Sequence, residues 1–164
     1  MMNLRTLFER PYGRIPNIFI WAVTLLSFAG FLNASYLTFK RFTGGPISCP
    51  IFGGCDEVTK SVYSVLFSIP LSVYGMAIYL AVLVLSVAYL QTKNPRFALG
   101  FMGLSVIGFI FSVYFMYIQA FLIGAYCFYC VLSFVFFTTM FLLNIYVWKK
   151  HFAVPLPPAP ASFA

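Results

Sequence analysis

Four long, uninterrupted apolar stretches limit what this chain can fold into more than any other feature of its sequence. They run from about Ile18 to Phe39, Leu71 to Leu90, Phe97 to Gln119 and Tyr126 to Trp148. Each is close to the ~20 residues that a helix needs to cross the hydrocarbon core of a bilayer. Apolar residues do not alternate with polar ones, which excludes the strands of a membrane β-barrel. The sequence therefore predicts an all-α fold, an integral membrane four-helix bundle.

The composition agrees with a molecular surface that faces lipid. Hydrophobic residues make up 62% of the chain and charged residues only 8%, whereas about 25% is usual for charged residues in soluble domains. The net charge of +7 does not indicate nucleic-acid binding, because the basic residues lie at the ends of the apolar stretches and form no stripe. In the third stretch Gly100, Gly103 and Gly108 are expected at close helix–helix contacts.

The basic residues also predict how the helices are oriented. Most of them belong to the two termini and the link between the second and third helices: Arg5, Arg10, Arg14, Lys93, Arg96, Lys149 and Lys150. Only Lys40, Arg41 and Lys60 fall on the other side. By the positive-inside rule, both termini are expected in the cytoplasm.

This orientation divides the chain into three parts. Residues 1–16 are expected to form a cytoplasmic N-terminal segment, and residues 151–164 a Pro-rich, disordered cytoplasmic tail. Residues 17–150 are expected to form the transmembrane domain, in which an outer loop at about 40–70 joins the first two helices. The first helix is expected to be retained, because its apolar stretch is longer than the roughly 7–15 residues of a signal peptide.

All four cysteines fall on the predicted outer side. Cys49 and Cys55 lie in the outer loop, and Cys127 and Cys130 open the fourth helix. A bacterial periplasm or an endoplasmic reticulum lumen permits disulfides, whereas the cytosol does not. The charge distribution and the cysteine positions thus agree on an oxidising environment.

Cys127-Phe128-Tyr129-Cys130 is a C-x-x-C motif at the start of a predicted helix. Its spacing places both sulfurs on nearly one face, within reach of a disulfide. The free N–H groups and the positive dipole end of a helix N-terminus stabilise a thiolate. A static disulfide is the alternative, but it would close a very short loop and constrain the unfolded chain little. The motif therefore favours a reactive dithiol.

The pair Cys49 and Cys55 lies in a loop rich in Pro and Gly. It is either a structural staple or, beside the C-x-x-C motif, the mobile half of a thiol–disulfide exchange relay. Zinc sites favour closer pairs, and the single histidine, His151, is predicted on the opposite side of the membrane. No metal is expected.

The residues around the cysteines resemble the vitamin K epoxide reductase family in its compact bacterial form, over about residues 15–150. The resemblance rests on Ala34-Ser35-Tyr36-Leu37-Thr38, the C-x5-C pair followed by Asp56-Glu57-Val58, Ser61, Phe67-Ser68-Ile69-Pro70-Leu71-Ser72, Gly75, and Tyr126 before the C-x-x-C motif.

This resemblance implies a four-helix bundle around a quinone, and a membrane enzyme that is a quinone-linked thiol-disulfide oxidoreductase. It implies that Cys130 reacts with the quinone and that Cys127 exchanges with Cys55. Cys49 would meet a separate periplasmic, thioredoxin-like partner of the DsbA type, and Ser61 would support the reaction by hydrogen bonding. The enzyme would lie in the bacterial inner membrane, with its cysteines facing the periplasm.

The sequence departs from relatives that reduce vitamin K at two positions. Those relatives place an Asn and a Tyr where this chain has Leu71 and Phe134. Epoxide reduction is therefore not expected, and a ubiquinone or menaquinone is the expected cofactor. Candidates for the quinone pocket, besides Cys130, are Tyr74, Phe134 and Asn33.

Two other functions fit parts of this pattern. The DsbB family also has four helices and four outer cysteines, but its C-x-x-C motif lies in the first outer loop, the reverse of the order here. The alternative of a different class is a non-catalytic membrane scaffold or assembly factor with two structural disulfides.

Overall fold

Four long helices account for most of the computed structural model, which describes residues 15–51 and 53–152. Their bounds are Asn17–Thr43 (α1), Leu71–Thr92 (α3), Pro95–Ile118 (α4) and Phe128–Phe152 (α5). A short helix, Cys55–Lys60 (α2), lies in the outer segment between α1 and α3. The predicted N-terminal segment, except residues 15 and 16, and residues 153–164 of the predicted tail lie outside the described residues.

The four long helices are long and apolar enough to cross a membrane: their most apolar 18-residue parts have mean hydropathies of 1.7, 2.2, 2.1 and 2.1. Large apolar side chains face outward along them, among them Ile18, Leu25, Ile110 and Leu142. A surface of this kind is stable in lipid, where helices satisfy their own backbone hydrogen bonds. The predicted all-α membrane bundle is confirmed.

The ends of the helices follow from local sequence. α1 continues past its predicted end at Phe39, because Lys40 and Arg41 suit the negative end of a helix dipole, and it stops at Gly44 with φ 67°. Between α3 and α4, the side chain of Asn94 accepts a hydrogen bond from the backbone N–H of Arg96 at 3.1 Å. Pro95 then occupies the first turn, where its missing N–H costs nothing.

Glycines allow aromatic rings to fill the centre of the bundle. The ring of Tyr79 on α3 lies directly against Gly30 of α1, and the ring of Phe137 on α5 lies against Gly108 of α4. The two rings stack on each other with centroids 4.3 Å apart. Tyr79 and Phe137 are 1% and 3% exposed. Ring stacking thus links all four long helices.

The outer segment, predicted as a loop over about 40–70, contains regular structure. After α2 comes a 3-10 turn, Val62–Ser64, and an antiparallel hairpin of strands Val65–Leu66 (β1) and Ile69–Pro70 (β2). Phe67 and Ser68 form its two-residue turn with φ 50° and 65°, as primed hairpin turns require. The hairpin leads directly into α3, so the outer segment is anchored to the bundle at both ends.

Candidate active site

The outer segment carries a disulfide between Cys49 and Cys55, with Cα atoms 6.0 Å apart. Cys49 is partly exposed, whereas Cys55 is fully buried at the start of α2. The Oδ1 atom of Asp56 accepts a hydrogen bond from the backbone N–H of Ile47 at 3.2 Å, which closes the loop around the disulfide. One sulfur of the pair thus lies near the surface and the other in the interior.

The second pair, Cys127 and Cys130, consists of free thiols at the start of α5. The carbonyl of Cys127 accepts hydrogen bonds from the N–H groups of Cys130 and Val131 at 3.1 and 3.0 Å. Cys127 is fully buried, whereas Cys130 is partly exposed.

Its surroundings favour the ionised form of Cys127. A hydrogen bond from the Cys130 thiol lowers the pKa of the Cys127 thiol below its ordinary value, and the backbone N–H groups of Cys130 and Tyr129 act in the same direction. Burial opposes them, but does not reverse the shift. The thiolate of Cys127 therefore forms more readily than that of an ordinary cysteine, and the thiolate is the nucleophilic form.

The two cysteine pairs meet where the outer segment packs against the start of α5. Cys55, Cys127, Leu37, Ile47 and Val58 form one buried cluster. The approach is close: a Cβ added to Gly54 would lie 2.8 Å from the Cβ of Ala125 and 3.1 Å from the backbone N of Tyr126. The absence of a side chain at position 54 therefore lets the start of α2 approach the residues just before α5 this closely.

On its other side, the C-x-x-C turn borders a cavity of about 210 Å³. Residues of the outer segment and of all four long helices line it, and most are apolar: they include Leu37, Leu71, Tyr74, Phe111, Phe115 and Phe137. Cys130 lies in its wall, together with Ser133 one turn further along α5. The cavity thus offers an apolar space with a thiol at its edge, as sites for small apolar ligands do.

A loop cysteine pair and a C-x-x-C turn in a membrane bundle also occur together in a known protein family. The model of the vitamin K epoxide reductase family matches residues 21–145. The chain belongs to this family. The resemblance predicted from the cysteine motifs is thus confirmed, and the chain is a multi-pass membrane protein.

The chain is also similar to the thiol-disulfide oxidoreductase LTO1 of Arabidopsis thaliana. The two are 36% identical over 124 residues, which cover 70% of this chain and 32% of the relative. The chain therefore spans about a third of the length of this curated member of the thiol-disulfide oxidoreductases.

Of the other residues predicted for the quinone pocket, one lines the cavity and two do not. Tyr74 lines the cavity with Cys130, and its hydroxyl donates to the carbonyl of Leu66 at 3.2 Å. Neither Asn33 nor Phe134 is among the described residues that line the cavity. Phe134 packs instead near Phe109, with ring centroids 6.4 Å apart.

Ser61 lies at the end of α2, where its hydroxyl donates to the carbonyl of Val58 at 2.8 Å. The serine of this segment that lines the cavity is Ser64. The hydroxyl of Ser64 donates to the carbonyls of Thr59 and Ser61 at 2.6 and 2.7 Å. Ser61 is thus linked to the cavity wall through Ser64.

Sequence reasoning did not assign a role to Gln119, which is fully buried and also lines the cavity. Its Oε1 accepts a hydrogen bond from the backbone N–H of Cys127 at 2.8 Å. The available signal was a polar amide within an apolar stretch, since polar groups at membrane depth are costly unless they serve a purpose.

Proposed function

We propose that this protein is a membrane thiol-disulfide oxidoreductase that passes two electrons from a thioredoxin-like protein to a quinone. The observation that carries the proposal is the position of the C-x-x-C turn. Cys127 packs in one buried cluster with Cys55, and Cys130 borders an apolar cavity. A dithiol between a disulfide and a cavity can exchange with the first and react with a ligand in the second.

The first step is oxidation of the partner. A thiolate of the partner attacks the sulfur of Cys49, and the Cys49–Cys55 disulfide breaks to release the Cys55 thiolate. The second thiol of the partner then attacks the mixed disulfide, which forms the partner's disulfide and leaves Cys49 and Cys55 reduced. Partial exposure of Cys49 and burial of Cys55 support this order, because exchange requires access to the attacked sulfur.

The second step is internal exchange. The Cys55 thiolate attacks Cys127 of an oxidised Cys127–Cys130 pair, and Cys130 leaves as a thiolate. Attack by Cys49 on the mixed disulfide restores Cys49–Cys55 and leaves Cys127 and Cys130 reduced. A loop disulfide beside a free C-x-x-C dithiol is the state expected after this exchange.

In the third step the Cys127–Cys130 dithiol becomes a disulfide and gives up two electrons and two protons. A quinone supplies the two-electron acceptor for this step. The cavity fits its ring, because the wall is largely apolar, contains aromatic residues such as Phe111 and Phe115, and includes Cys130. Tyr74 and Ser64 add hydroxyl groups to the same wall, and a ubiquinone or menaquinone is the proposed class.

The proposed location is the inner membrane of a bacterium, with both termini in the cytoplasm and a DsbA-type partner in the periplasm. Basic residues gather at the end of the bundle opposite the cysteines. The Nζ atom of Lys93 donates to the Oδ1 atom of Asn17 at 2.9 Å, and Lys149 lies beside Leu99 near the start of α4. This clustering supports a cytoplasmic position for that end.

The test uses the purified protein in lipid nanodiscs, a reduced DsbA-type protein and a short-chain ubiquinone. We expect the quinone absorbance to fall as one partner disulfide forms per quinol. Cys130→Ala should abolish quinol formation, because no other thiol borders the cavity among the described residues. Thr138→Val on the same helix should retain the wild-type rate. Undiminished quinol formation by Cys130→Ala would refute the proposed path.

A further inference from the structure

Two side-chain amides, one from the end of α4 and one from α1, form hydrogen bonds with the C-x-x-C turn. From the end of α4, Oε1 of Gln119 accepts a hydrogen bond from the backbone N–H of Cys127 at 2.8 Å. From α1, Nδ2 of Asn33 donates to the carbonyl of Tyr129 at 3.0 Å and to Oγ of Ser133 at 2.9 Å. We call Asn33 and Gln119 the amide clamp.

The amide clamp is buried at membrane depth. Gln119 is 0% exposed and Asn33 is 8% exposed. Uncompensated burial of an amide is unfavourable, and the C-x-x-C turn supplies one hydrogen-bond partner to each of these side chains. The N–H of Cys127 belongs to the unpaired donors of a helix N-terminus, and the oxygen of Gln119 satisfies it where water has no access.

A local irregularity of α4 brings Gln119 to this position. After Ile118 the helix widens into a π turn, Gln119–Ile123, in which the N–H of Gly124 donates to the carbonyl of Gln119 at 3.0 Å. Phe121 points outward with 74% of its surface exposed, while Gln119 is enclosed. Such π turns are frequent at functional sites, and this one aims a polar side chain at the dithiol.

We propose that Asn33 and Gln119 are positioning residues, which fix the C-x-x-C turn so that Cys127 stays against Cys55 and Cys130 stays at the cavity. The hydrogen bonds of the two amides to this region go to the backbone of the turn or to Ser133, not to the cysteine sulfurs. The Nε2 atom of Gln119 donates separately to the sulfur of Met116 at 3.8 Å. The inference rests on the proposed function for the direction of electron transfer. The geometry that it concerns can be tested without a quinone or a partner protein.

The experiment measures formation of a disulfide between Cys55 and Cys127 in a Cys49→Ser/Cys130→Ser background. Membranes are treated with diamide, and the cross-link is quantified by mass spectrometry over time. Gln119→Met is expected to slow the cross-link about fivefold, the effect of one net hydrogen bond on an equilibrium between turn geometries. Asn33→Leu removes two hydrogen bonds and is expected to slow it by at least as much. Gln119→Glu keeps the acceptor oxygen and is expected to remain closer to the reference rate than Gln119→Met.

Asn144→Leu provides a matched control. Asn144 lies on α5 and is 4% exposed, but neither atom of its amide has a hydrogen-bond partner among the described residues. Its loss should leave the cross-linking rate unchanged. If Gln119→Met and Asn33→Leu cross-link as fast as Asn144→Leu, the amide clamp has no positioning role.

A second measurement tests the positioning role of the amide clamp independently of the proposed exchange between the two cysteine pairs. Absence of the cross-link in the reference itself would contradict the exchange step of the proposed function. The clamp is then judged from the thiolate absorbance of Cys127, titrated with the Cys49–Cys55 disulfide intact. Gln119→Met and Asn33→Leu should raise the titration midpoint and Asn144→Leu should not, and equal midpoints in all three would overturn the proposal.

Discussion

Cys127 and Cys130 lie one helical turn apart and yet meet different surroundings. Cys127 lies in one buried cluster with Cys55 of the outer segment, while Cys130 borders the cavity. Because the thiol of Cys130 donates to Cys127, the pKa of Cys127 is lowered. The two sulfurs are thus suited to different tasks: Cys127 lies in the cluster that holds Cys55, and Cys130 has access to a ligand in the cavity.

The pH dependence of Cys127 follows from this hydrogen bond. A lowered pKa means that the thiolate persists below the pH at which an ordinary thiol is protonated, and is lost only as the pH falls through the lowered value. Cys130→Ala removes the largest cause of the shift, so the thiolate titration of Cys127 should move to higher pH. Cys130→Ser keeps a donor and should move it less. A Cys130→Ala midpoint equal to that of the wild type would contradict this origin of the shift.

At the scale of elements, the decisive contact is the one between the outer segment and the connection from α4 to α5. Gly54 makes it possible, because an added Cβ would meet the Cβ of Ala125 at 2.8 Å and the carbonyl oxygen of Tyr126 at 3.1 Å. The Cβ atom of Ala125 and the carbonyl oxygen of Tyr126 are both fixed to the backbone, so the backbone itself would have to move. The start of α2, and with it Cys55, depends on this approach.

Gly54→Ala should therefore push Cys55 away from Cys127. We expect it to slow the Cys55–Cys127 cross-link by about tenfold, since overpacking of a close contact costs about 1–3 kcal/mol. Gly53→Ala is the control, because an added Cβ there meets no described atom within 4 Å. Equal cross-linking rates in the two variants would show that the outer segment has room to adjust.

The sequence predicts some elements better than others. The apolar stretch predicts the start of α4 at about Phe97, two residues after the observed start at Pro95, where Asn94 and Pro95 form a helix-start signal with a direct physical basis. The β1–β2 hairpin could not be predicted, since Phe67 and Ser68 adopt positive φ where Gly, Asn or Asp is usual. The π turn at Gln119 also leaves no periodic signal, and its effect on the site appears only in three dimensions.

At the scale of the whole molecule, the apolar stretches determine the number of helices but not which faces meet. The family pattern indicated that Cys127 and Cys130 belong near Cys49 and Cys55, and the structure brings Cys127 and Cys55 into one cluster. Of the glycines expected at helix contacts in α4, Gly108 lies against Phe137 and an added Cβ at Gly100 would lie 3.1 Å from Leu85. Gly103 instead faces open space, because glycine spacing alone does not identify the buried face.

The difference between Gly108 and Gly103 predicts how a methyl group added at each position affects the stability of the bundle. Gly108→Ala places a methyl group against the ring of Phe137, which in turn stacks on Tyr79, so the strain reaches the ring stack that links the four long helices. We expect a loss of about 1–3 kcal/mol in the free energy of unfolding, measured by titration of the protein in mixed micelles with a denaturing detergent. Gly103→Ala, on the same helix, should lose nothing, because its Cβ meets no described atom within 4 Å and alanine is the better helix former. If the two variants unfold at the same detergent fraction, the stack at Tyr79 and Phe137 is not what holds the bundle together.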